Sequence, residues 1–280
     1  MFEKMVKPIL LYNCEVWGSE SVDLCEKLYL KFCKYILGVK SSTPTNMVRG
    51  ELGIYPLIID IKCRILSYWF KLGEGHDNKL SKKINNVLYV YLVNNVYRSP
   101  WLAHVKNILD DCGLSYIWNN YFILNTYSRE NIVSKVKSCL RDQYIQSWYS
   151  SLDNDKCVLY KVIKTNYGLE NYFLTLPKIY CQTLCKFRTS NHKLAIEKGR
   201  YINIPRNLRL CQLCKEGKIG DEFHVILECS KFNNIRHKYI ANYFLRKPSM
   251  YKFLDLLCLN QSKKKNYLFI KFIIEITKAC

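Results

Sequence analysis

The sequence predicts a mostly α-helical protein, a helical body followed by a small C-terminal segment of Cys-Cys-His-Cys (CCHC) pattern. Three observations carry this. Apolar residues recur at the three- and four-residue spacing of amphipathic helices along most of the chain. No succession of alternating strands at regular spacing interrupts them, and no internal repeat is present. Cys211, Cys214, His224 and Cys229 fall close together near the C-terminus. With 280 residues, 49% of them hydrophobic and 14% aromatic, the chain can build one or two domains with a core. A wholly disordered or collagen-like chain is excluded.

Each element follows from its own residues. Between Ser21 and Gly38, Cys25, Leu28, Phe32 and Ile36 form a helical stripe that Leu24, Tyr29 and Leu37 widen. Ser21 is the expected N-cap, Asp23 suits the first turn, and Gly38 suits the left-handed position that ends a helix. Thr43-Pro44 opens a short helix with proline at its first position, ending near Gly53 and Pro56. Helical patterns also run over 57–72, 100–111, 129–150, 177–187, 233–245 and 263–278. Asp77 to Ser99 is Asn-rich with interspersed aliphatics and tyrosines; it fits a helix, a strand or a long loop, and it marks a boundary. A second boundary falls near Gly199 to Arg209. The expected organisation is an N-terminal helical segment (1–76), a helical middle region (77–200), the CCHC segment (201–245) and a basic helical tail (246–280).

Charge gives the first functional signal. Lys and Arg number 43 against 23 Asp and Glu, a formal net charge of +20 and a pI near 9.3. Such a surplus is offset by a polyanion or an anionic surface, and nucleic acid is the expected partner. Residues 1–60 are balanced, 61–180 carry +7 and 181–280 carry +13, so the contact is expected in the last third. The opening residues lack the apolar run of a signal peptide. No stretch approaches the roughly 20 apolar residues of a bilayer span; the best, Tyr267 to Thr277, is interrupted by Lys271 and Glu275. These features predict a soluble intracellular protein, nuclear or cytoplasmic, without a membrane partner.

An intracellular setting makes a disulfide framework unexpected for the 14 cysteines. Cys25, Cys33, Cys63 and Cys139 fall on periodic apolar positions and read as small core hydrophobes, as do Cys181 and Cys185. Cys211-Gln-Leu-Cys214, then His224 and Cys229, is different. Three thiolates and an imidazole suit tetrahedral zinc, which prefers soft donors and closes its shell with four. The competing reading is a set of incidental core cysteines. Residues five apart on a straight helix point about 140° away from each other, so either His224 or Cys229 must sit at a helix end or in a turn. Gly217 and Gly220 allow a tight loop before His224. Asp221 is placed to cap the turn after it or to hold the imidazole.

Immediately before this motif lies a basic stretch: Lys186, Phe187, Arg188, His192, Lys193, Lys198, Arg200, Tyr201, Arg206 and Arg209. Its cations suit phosphate oxygens and its two aromatics suit base stacking; the bland alternative is a solvated helix face. Asp110-Asp111 reads as a solvated helix end rather than a magnesium site. Gly73-Glu-Gly75 lacks the third glycine of a dinucleotide fingerprint. His76, His104 and His237 have no evident partners. No P-loop, nucleophile elbow or His-Glu-x-x-His is present.

Five blocks together carry a family resemblance: Pro8 to Gly18 with its Tyr-x-x-Glu-Val-Trp, Gly50-Glu-Leu-Gly53, Cys112 to Trp118, Lys186 to His192, and the terminal Cys/His motif. The chain resembles the region C-terminal to the polymerase palm in non-LTR (LINE-type) retrotransposon reverse transcriptases. The resemblance implies a thumb-like remnant at the start and a zinc-knuckle-like segment near the end that helps bind RNA or target DNA. It also implies a truncated, non-catalytic part. The family's aromatic-x-Asp-Asp turn, which holds two metals for in-line transfer, has no counterpart here, and neither does its endonuclease domain. Expected partners are RNA or DNA and a polymerase-bearing retroelement protein. A helical protein-interaction scaffold, or a decayed retroelement product with no selected role, is the alternative.

Overall fold

The computed structural model describes residues 2–20 and 22–279, and side chains from residue 4 onward. The protein is mostly helical. Among the described residues there is no β-strand, only the isolated antiparallel bridges Leu52–Leu169 and Leu210–Ile219. Two compact units emerge, each built from separated stretches: the chain up to Tyr29 with Tyr55–Trp148, and Leu30–Ile54 with the chain from Tyr149 on. This differs from the four consecutive segments expected from the sequence. A helix packs where its apolar face finds a complement, and sequence order does not limit that choice. No helix among the described residues is long and apolar enough to cross a membrane.

The first unit is organised by the helix Leu57–Glu74. It buries Leu57, Ile61, Ile65, Leu66, Trp69 and Phe70, all fully enclosed. Trp69 stacks on Trp118, ring centroids 5.7 Å apart, and also meets Tyr121. The ambiguous stretch 77–99 contains a helix, Leu80–Val93. Its buried residues are Asn85 and Tyr89, and polar bonds anchor them. Asn85 Nδ2 donates to the Tyr121 hydroxyl at 2.6 Å, that hydroxyl donates to Asn86 Oδ1 at 2.6 Å, and Tyr89 donates to Trp118 O at 3.0 Å. The aliphatics Leu80, Ile84 and Val87 stay exposed. Hydrophobic periodicity therefore carries no orientation for this helix. Helices Pro100–Asp111, capped by the Ser99 hydroxyl, and Arg129–Ser151 form as expected.

Three details correct the sequence reading of the early helices. In Asp23–Leu37 the buried line is Tyr29, Cys33 and Leu37, while Leu24 and Leu28 are exposed and Cys25 is half-buried. The burying face is thus rotated by one position from the predicted stripe. Ser21, the expected N-cap, lies outside the described residues. Pro44 has ψ 137° and is the N-cap itself, so the helix is Thr45–Leu52.

The second unit buries Phe269, Ile270, Phe272, Ile273 and Ile276 of the helix Lys263–Ala279 against helices Lys178–Arg188 and Asn233–Tyr239. The expected 233–245 helix breaks at Ile240 and Ala241, whose backbones are extended, and resumes at Asn242–Leu245. That break lets Ile240 and Phe244 both reach the core. Helix Met250–Leu257, capped by Ser249, has no counterpart among the helices expected from periodicity; Phe253, Leu256 and Leu257 bury it. The 13 described cysteines are all free, and Cys33, Cys63, Cys181 and Cys185 are buried as expected for core residues, while Cys139 is half-buried.

Candidate metal centre and the basic surface

The Cys-x2-Cys pair sits on a hairpin. Cys211 N–H donates to Lys218 O at 2.8 Å and Gly220 N–H donates to Arg209 O at 2.9 Å, closing the ladder around the Leu210–Ile219 bridge. Lys215 and Gly217 take positive φ values, 56° and 70°, which turn the chain back. Gly220 then lies against the start of helix Ala195–Tyr201. A Cβ at this position would stand 2.8 Å from Ala195 Cβ and 2.9 Å from the Cys211 Cα, closer than atoms pack. Gly220→Ala is therefore expected to push Cys211 off its place, lowering stability by about 1–3 kcal/mol together with metal affinity. Calorimetric metal titration of this variant checks it; unchanged affinity would show that the hairpin absorbs the methyl group.

The His224–Cys229 spacing is resolved by an uncommon turn. His224–Glu228 winds as a π-helix, and Cys229 N–H donates to His224 O at 2.7 Å. Such i→i+5 closure brings residues five apart round to the same side, so one short turn presents both ligands. Asp221 starts the turn: its Oδ1 accepts from His224 N–H at 2.9 Å. Of the two roles expected for Asp221, the cap is the one adopted. Arg236 ends it. Its buried guanidinium donates to Ile226 O at 2.7 Å, Val225 O at 3.2 Å and Cys229 O at 2.8 Å, taking up carbonyls that the turn leaves open.

The four donor atoms of Cys211, Cys214, His224 and Cys229 all lie within 4.8 Å of one another, and the group could hold a metal ion. Cys211 Sγ and Cys229 Sγ are 4.0 Å apart, Cys214 Sγ and His224 Nε2 3.3 Å. His224 Nδ1 faces the Glu228 carboxylate at 3.5 Å, and Lys218 steadies that carboxylate at 3.3 Å. The His224–Glu228 contact is not a hydrogen bond: His224 Nδ1 is buried without a hydrogen-bond partner among the described residues. Burial, with the Cys211 and Cys214 thiols beside it, pushes the Cys229 thiol up to about 12. A metal would bind by displacing such protons.

No family model, curated protein or solved structure matches the chain.

The basic stretch divides sharply by burial. Lys186, Lys193, Lys198, Tyr201 and Arg206 are exposed. Phe187, Arg188 and His192 are buried, which corrects their expected role as contacts to phosphates and bases. Arg188 is 1% exposed and holds a charge network together. Its Nε donates to Glu51 Oε1 at 3.2 Å, its guanidinium lies 3.0 Å from Glu170 Oε2, and another N–H reaches Leu257 O at 3.1 Å. Lys164 pairs with the other Glu170 oxygen, and the Tyr172 hydroxyl donates to Glu51. His192 Nε2 meets Glu222 Oε1 at 2.8 Å, and its ring packs on Phe187. Arg200 is half-buried, paired with Glu197 at 3.0 Å and placed over the Tyr201 ring. Arg209, also half-buried, spends its guanidinium on Ile204 O and Ile196 O. These last two act as fasteners of the fold.

Two residues that matter here carry no sequence signal of their role. Arg236 and Glu222 have only their charge to mark them, and a charge gives no sign of burial. Gly220 reads in the sequence as loop flexibility, whereas its role is close packing. Asp110 and Asp111 are exposed at a helix end, and Asp111 pairs with Lys62 at 3.7 Å.

Proposed function

We propose that this chain is a non-catalytic, zinc-containing module that binds RNA or DNA, of the kind found C-terminal to the palm of non-LTR retrotransposon reverse transcriptases. The observation that carries the reading is the position of exposed cations beside the candidate metal hairpin. Lys193 and Lys198 line one small depression with Cys211, Gln212 and Leu213 of the Cys-x2-Cys turn. A hairpin tip stiffened by a metal, flanked by ammonium groups, offers backbone-phosphate contacts and an apolar edge for a base.

Zinc is the metal that the donor set favours. Three sulfurs and one imidazole are soft ligands, and bond lengths of about 2.3 Å to sulfur and 2.0–2.1 Å to nitrogen place tetrahedral neighbours about 3.5–3.8 Å apart. The 4.0 Å and 3.3 Å pairs bracket that range. Charge supports the polyanion. The unit that contains the hairpin holds 28 Lys and Arg against 11 Asp and Glu, while the other holds 15 against 12.

Each phosphate contact to a single strand contributes about −0.7 to the log–log salt slope of binding. Lys193→Ala with Lys198→Ala is expected to flatten that slope by about 1.4 units and to weaken all sequences alike. Titration of labelled single-stranded RNA and DNA at several salt concentrations tests this. Salt-insensitive binding, or a double variant indistinguishable from the parent chain, would remove the reading. A second reading, a scaffold that docks a partner such as a separate polymerase, is favoured by the apolar residues Leu80, Ile84 and Val87, which helix Leu80–Val93 leaves exposed.

A further inference from the structure

The first unit has a cavity that the basic stretch does not touch. Its volume is about 640 Å³, within the range of ligand pockets, roughly 300–1,000 Å³. Its walls come from the helix Leu80–Val93, the turn after it, helix Pro100–Asp111 and the short helix Ser115–Asn119. The lining chemistry is one-sided: it includes Arg98 and Lys106 and no carboxylate. Both cations are exposed, and neither is in an ion pair among the described residues. By contrast, a cavity of about 740 Å³ in the second unit contains Glu170, which already engages Lys164.

Aromatic groups complete this site. Trp118 and Tyr89 line it as nearly buried rings, 5.0 Å apart, held by the Tyr89 hydroxyl bond to Trp118 O. Tyr97, also in the lining, leaves 53% of its surface exposed. Asn95, Asn107 and Asn119 add amides, each able to donate and to accept. Uncompensated cations next to an exposed aromatic ring, with amides at hand, match what an unpaired nucleotide needs: charge for its phosphate, a π-face for its base and hydrogen bonds for its edge. An acidic peptide would use the cations alone and leave the rings idle.

We infer that this cavity binds an unpaired nucleotide of single-stranded nucleic acid, a second contact apart from the metal hairpin. The inference rests on the nucleic-acid reading proposed above. It is tested on the full chain with labelled ten-nucleotide oligo(U) and oligo(dT), comparing the parent with Tyr97→Ala and with Arg98→Ala plus Lys106→Ala. These side chains are exposed, so folding is preserved, and circular dichroism verifies it. Tyr97→Ala is expected to weaken binding about fivefold or more, the loss of one stacked base, without changing the salt slope. The double variant is expected to flatten the slope by about 1.4 units. In the parent, 4-thiouridine placed in the oligomer is expected to cross-link within 89–119. If the oligomer binds but both variants match the parent and cross-links fall only in 186–229, this cavity is overturned while the hairpin contact stands. If the parent binds neither oligomer, both readings fall. Competition by poly-glutamate as strong as by the oligomer would overturn the nucleotide assignment.

Discussion

Chelation of the metal is expected to unfold the segment from about Arg209 to Tyr239 and to leave the helices of the first unit protected. Regular structure in that stretch is thin ahead of the helix Asn233–Tyr239. The hairpin has one isolated bridge, the π turn is five residues long, and Cys211, Cys214, His224 and Cys229 link the two. Without an ion, three thiols and an imidazole within 4.8 Å of one another have only the weak Cys214–His224 and Cys211–Cys229 hydrogen bonds between them. Binding energies of zinc-finger peptides, about 10–16 kcal/mol near neutral pH, show how much folding energy such a site can supply. Purified protein should contain about one zinc per chain, and hydrogen exchange before and after chelation reads the local unfolding. A zinc-free preparation with the same protection over 209–239 would remove the metal hypothesis.

Replacement of Arg188 is expected to destabilise the second unit without altering the polyanion binding proposed above. Arg188→Ala strands Glu51, which is fully enclosed, and frees one oxygen of Glu170 from its partner. Breaking a buried pair on one side costs about 3–5 kcal/mol, and the lost side-chain volume adds to it. Arg188→Lys should recover only part of this, since a single ammonium cannot reproduce a fork that hydrogen-bonds Glu51 and Leu257 O while pairing with the charge of Glu170. Urea unfolding measures the loss. In the fraction that stays folded, the salt slope for oligonucleotides should equal that of the parent. A slope flattened by about 0.7 with stability unchanged would return Arg188 to the surface role that its sequence context suggests.

The sequence alone determined the helical class and the set of candidate ligands, because both are local. A helix is announced by the spacing of its own apolar residues, as in Leu57–Glu74 and Lys263–Ala279. A soft tetrahedral ligand set is announced by residue type and separation. Only the tertiary structure decided which charges are surface and which are core. Lys186 and Arg188 are two residues apart in one basic stretch, yet the first is exposed and the second buried. The difference is Glu51, 137 positions away, and Glu170, and nothing in the residues around Arg188 announces either. The same holds for the helix Leu80–Val93, whose inward face is set by Tyr121 and Trp118 receiving Asn85 and Tyr89. Burying a polar group is costly unless a partner meets it, and for Arg188, Asn85 and Tyr89 those partners come from distant parts of the chain.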